Sequence, residues 1–120
     1  MFFGTPSGAS KIIDRMGLPV RSPEAKVLIR LIDWSAKQTD KMFQTMRKPA
    51  PPKAEGELSA AISMARNASA TAEVARVLHI EPEKARTLLV QCREAAAAMA
   101  SEAGLSEIAD IATRDRNAGT

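Results

Sequence analysis

Between Ser22 and Met46 the apolar residues return every three to four positions, and nowhere in the chain does an alternating apolar–polar run reach strand length. A period of three to four lays side chains along one face of a helix, whereas a strand needs period two. Ser22 is a good N-cap, Pro23 suits the first helical position and Glu24 complements the positive helix end. The spacing predicts a helix from this start to about Met46. Its buried stripe is expected to hold Leu28, Leu31, Ile32, Ser35, Met42, Phe43 and Met46. Val27, Ile29 and Trp34 lie off that stripe, so the early turns read as a helix sandwiched between two surfaces.

Pro49, Pro51 and Pro52 then exclude helix interior and favour an extended spacer, so residues 47–55 read as a linker. Upstream, Gly4, Pro6 and Gly8 break regular structure, and residues 1–9 read as an extended arm. A short helix is expected over Lys11–Met16, with Ser10 as its cap and Gly17 as its left-handed stop. Downstream of the linker four helices are predicted, at about Glu57–Ala68, Ala72–Leu78, Pro82–Ala103 and Glu107–Arg114. Thr71 and Ser106 are the expected caps of the second and fourth, and Gly104 closes the third.

Composition agrees. Ala is abundant, Tyr is absent and β-branched residues never cluster, which favours helix over strand. The fold class expected is therefore all-α: a long N-terminal helix joined by a Pro-rich linker to a small helical bundle. The expected organisation is an arm with one short helix over residues 1–21, the long helix over 22–47, the linker over 48–56 and the bundle over 57–116. At 120 residues and 45% hydrophobic, the chain supports one modest core.

Several function classes are disfavoured at once. No run of about 18 apolar residues is present, so membrane insertion is not expected. The start, Met-Phe-Phe-Gly-Thr-Pro, lacks the charged and apolar regions of a secretory signal. Cys92 is the single cysteine, which rules out an intrachain disulfide and points to a reducing, cytoplasmic setting, or a virion if the source is viral. With His79 the single histidine, no zinc site can form within one chain, and no nucleophile–base pair is evident. Gly4 to Lys11 departs from a phosphate loop in its glycine spacing and in its Ser10-Lys11 order, and no strand precedes it. No enzyme activity, cofactor or metal is expected.

Residues 71–89 carry the most specific pattern. Ala75 is the small residue that lets two helices approach, Ile80 is the apolar residue after a turn, and Pro82-Glu83 open the next helix. Ala85, Leu88 and Leu89 would face back to the first helix. The segment resembles a helix-turn-helix, within a tri-helical unit if the flanking helices join it. That resemblance implies DNA binding, with Lys84, Arg86 and Arg93 as the contacting residues. Two departures stand beside it. His79 occupies the turn position usually held by Gly. The segment 81–94 also balances Glu81, Glu83 and Glu94 against Lys84, Arg86 and Arg93, although phosphate binding draws on an excess of cations.

The net charge of +3 is unevenly placed: residues 1–50 carry nine Lys/Arg against four Asp/Glu, and residues 51–120 carry eight against ten. Phe2 and Phe3 sit in the breaker-rich arm and Trp34 lies off its helix's stripe, so all three are candidate partner anchors. Ala95 to Ala100 offers a smooth helix surface for a close contact, within this chain or with another subunit. The reading that unites these features is a non-enzymatic structural or adaptor subunit of a larger bacterial or viral assembly, acting through other protein chains or as a homo-oligomer. The alternative is a helix-turn-helix DNA-binding protein.

Overall fold

The computed structural model describes residues 8–118, with side chains as far as Arg114. Phe2 and Phe3 lie outside the described residues. Among these the chain is all-helical, with six α-helices and one short 3₁₀ turn. In order they are α1 (Gly8–Arg15), α2 (Pro23–Thr45), α3 (Lys53–Ser63), the 3₁₀ turn Met64–Arg66, α4 (Ala68–Leu78), α5 (Pro82–Glu102) and α6 (Ser106–Ala118).

Local chemistry explains most of the ends. The Ser22 hydroxyl accepts from the Ala25 N–H at 3.2 Å and donates to the Pro19 carbonyl at 2.7 Å, so one side chain closes the start of α2 and ties down its entry loop. At the other end Arg47 turns left-handed, and the Lys48 N–H reaches the Phe43 carbonyl at 3.0 Å, a Schellman closure made without glycine. Gly17 and Gly104 take the left-handed stops expected of them.

Other ends differ from the sequence reading. α3 begins at Lys53, directly behind Pro52. Proline is excluded from helix interiors but tolerated at their entrance, so the proline segment ends where Lys53-Ala54-Glu55 can start a helix. α4 is capped by Asn67, whose side chain accepts from Ser69 N–H at 2.8 Å and Ala70 N–H at 3.2 Å. Thr71 bonds back to the Asn67 carbonyl from inside the helix instead of capping it. α1 includes Gly8 and Ala9, before Ser10, and an N–H of its first turn is met from elsewhere in the chain. Buried Glu57 of α3 accepts from the Ala9 N–H at 3.1 Å. The approach is close: a Cβ on Gly8 would lie 2.6 Å from the Glu57 carboxylate.

The core centres on α3 and α5, which pack on each other and on α1 and the 3₁₀ turn, with α6 against both. α5 buries Ala85, Leu89, Cys92, Ala96 and Ala100, a helical stripe made mostly of small residues. α3 answers with Leu58, Ala61 and Ile62. Small side chains let the helix axes approach, so the Ala-rich stretch of α5 serves this chain's own packing in part. α2 meets α1, α3 and α4, and buries Ala25, Val27, Leu28 and Ile32. Val27 is buried although it lies off the expected stripe, in keeping with early turns enclosed on two sides. Leu88 is half-buried and Leu89 fully buried, so Leu89 is the residue of that pair seated in the core.

Candidate interaction surface

The expected buried stripe of α2 stops partway along the helix. Leu28 and Ile32 are buried and Leu31, Ser35 and Phe43 half-buried, but Met42 and Met46 are 56% and 46% exposed. The reason is length. At 1.5 Å per residue the 23 residues of α2 span about 34 Å, while the 11 residues of α3 or of α4 span about 16 Å. The longer helix outruns its neighbours.

Trp34 is 57% exposed on the same helix. At 100° per residue, Leu31, Trp34, Met42 and Met46 fall within one third of the helix circumference. Trp34 stands at the mouth of a groove of about 320 Å³ between α2 and the start of α4, lined by Leu31, Met64 and Ala70 among others. Glu73 on the α4 side is ion-paired within its own helix. Arg76 grips it through two bonds of 3.0 and 2.8 Å, and that hydrogen bonding, with Arg30 nearby, holds its carboxyl below the usual range.

Beside the apolar face runs a line of cations. Lys26, Arg30, Lys37 and Lys41 are spaced by four, seven and four residues, which stacks them along one side of α2, and all four are exposed. Asp33 and Asp40 lie further round, beyond the lysines. Lys37 and Lys41 make no ion pair among the described residues.

The nucleic-acid candidates are placed differently. α4 and α5 form a corner whose turn residue, His79, is left-handed at φ 53°. The Ile80 N–H closes on the Ala75 carbonyl at 3.1 Å, so His79 takes the role that glycine usually fills, which histidine tolerates better than most side chains. Yet Lys84 and Arg86 point to opposite flanks of α5. Lys84 lines a hollow with Glu24, His79 and Leu88, whereas Arg86 lines one with Arg66 and Thr71. Between them the outward side of α5 carries Glu83, Thr87 and Glu94. Arg93 is largely covered and lies 3.4 Å from the Glu94 carboxylate. These three cations are not brought together.

Cys92 is buried in the core, where desolvation pushes its thiol up to about 12. Among the described residues no cluster of His, Cys, Asp and Glu is arranged to hold a metal, and no helix is long and apolar enough to cross a membrane. Sequence reasoning picked out Trp34 by its place off the stripe but put Met42 and Met46 inside. Only the mismatch in helix lengths shows them as part of the surface.

Fold and surface together define a small all-helical domain with one helix left apolar and basic along its free side. Comparison with protein families, curated proteins and solved structures finds no match to this chain.

Proposed function

We propose that this protein is a non-enzymatic adaptor or structural subunit that works through contacts with other protein chains. The observation that carries the reading is the free half of α2. Among the described residues four large apolar side chains stand exposed, and three of them, Trp34, Met42 and Met46, lie together on one helix, with aromatic and Met side chains being the residues that interfaces favour. Phe2 and Phe3 are a second proposed contact. The test is native co-purification of the tagged full chain with identification of what accompanies it. Stoichiometric recovery of another chain, lost on Trp34→Ala with an unchanged melting temperature, is expected. Recovery of this chain alone would sink the reading.

The α4–α5 corner supports a second reading as a DNA-binding unit. It predicts a duplex mobility shift at low salt that fades steeply as salt rises and is lost in the Lys84→Ala/Arg86→Ala variant. An unchanged shift in that variant would move the binding to the basic first half of the chain.

A further inference from the structure

We infer that the free half of α2 docks an acidic amphipathic helix of a partner protein, laid along the Trp34–Met46 face with one large apolar side chain seated in the α2–α4 groove. The inference rests on the adaptor reading and specifies its occupant. Three observations select it. The apolar residues run lengthwise over about three turns of α2, the footprint of a helix and not of a loop tip. The groove beside Trp34 is concave and mostly apolar, so it accepts a protruding Leu or Phe. The line of Arg30, Lys37 and Lys41 runs parallel to the apolar face and would meet the acidic flank of the incoming helix. Glu73 at the groove does not oppose this, because Arg76 already holds it.

The same features weigh against the other occupants. Two copies paired antiparallel about a two-fold axis would set one lysine line beside the other, like charge against like charge. A bilayer surface takes up a protruding apolar face, which Trp34, Met42 and Met46 offer, but it leaves unfilled the concave groove beside Trp34 that a protruding side chain fits.

Trp34 is the only tryptophan and the chain has no tyrosine, so intrinsic fluorescence reports from this surface alone. The probe is a synthetic helical peptide of about four turns, with Leu at positions i, i+4, i+7 and i+11 and Glu elsewhere. A counterpart carries Lys in place of Glu. The acidic peptide should shift the Trp34 emission to the blue, saturably. Lys37→Glu/Lys41→Glu should weaken its binding by about tenfold or more, and rising salt should weaken it too, while Lys84→Ala leaves it unchanged. Circular dichroism of the double variant checks that its helices are intact.

Equal binding of the lysine peptide, or indifference to the double reversal, overturns the inference. So does a blue shift with phosphatidylserine-containing vesicles but not with the acidic peptide, which assigns the face to a lipid surface. A blue shift on concentrating the protein alone assigns it to a second copy and also overturns the inference. Failure here is separable from failure of the adaptor reading: if the double variant still co-purifies with native partners at wild-type level, the adaptor reading stands and the docking site lies elsewhere.

Discussion

Cys92 sits at the centre of α5 with no accessible surface, and its chemistry follows from that position. A thiol normally titrates near 9.0, but burial raises this one to about 12. Below the lower value both folded and unfolded chains keep the proton. Between the two values only the unfolded chain loses it, so stability falls as pH rises through that window, at about 1.4 kcal/mol per pH unit. Denaturant unfolding at about pH 8 and about pH 10 should differ by about 1–2 kcal/mol more in wild type than in Cys92→Ala. Identical pH dependence in the two would show the thiol is not enclosed. Glu57 makes a second residue-scale case. Its carboxylate reaches the backbone of α1 from 48 residues away in sequence. Glu57→Ala should cost about 1–2 kcal/mol by removing a cap and stranding the Ala9 N–H. A loss below about 0.5 kcal/mol in denaturant titration would mean that water replaces the carboxylate at no cost.

Among the elements, α5 and α2 show how a helical pattern can be right in period and wrong in extent. On α5 the two adjacent leucines divide: Leu89 is fully buried and Leu88 lines a shallow hollow. Leu89→Ala should destabilise by about 2–5 kcal/mol, and Leu88→Ala by less than about 2 kcal/mol. Equal losses would mean that α5 is rotated from the orientation described. On α2 the periodicity continues into turns where Phe43 is half-buried but Met42 and Met46 stay exposed among the described residues. Met42 and Met46 keep helical spacing with Phe43, but periodicity reports which residues share a face and not whether a neighbour reaches it.

For the whole molecule, what is legible in sequence is what acts within about four residues. Ser22-Pro23-Glu24 starts α2, Pro82 opens α5, and Gly17 and Gly104 stop the helices before them, because caps and left-handed turns are closed by near neighbours. The all-helical class follows from the same local signals and from the absence of alternating runs. The α4–α5 corner was legible too, down to His79 in the turn. Where two local solutions competed, tertiary context chose: Asn67 took the cap that Thr71 could have filled, and α3 began as soon as proline allowed. Lys84 and Arg86, two residues apart on a helix, diverge across α5 for a local reason, the helical period itself. Two further features were decided only by assembly: Glu57 caps a helix distant in sequence, and Trp34, Met42 and Met46 of α2 are left exposed among the described residues. Each depends on which helices touch and on how their lengths compare. Those are relations between elements far apart in the chain, and a local pattern carries no record of them.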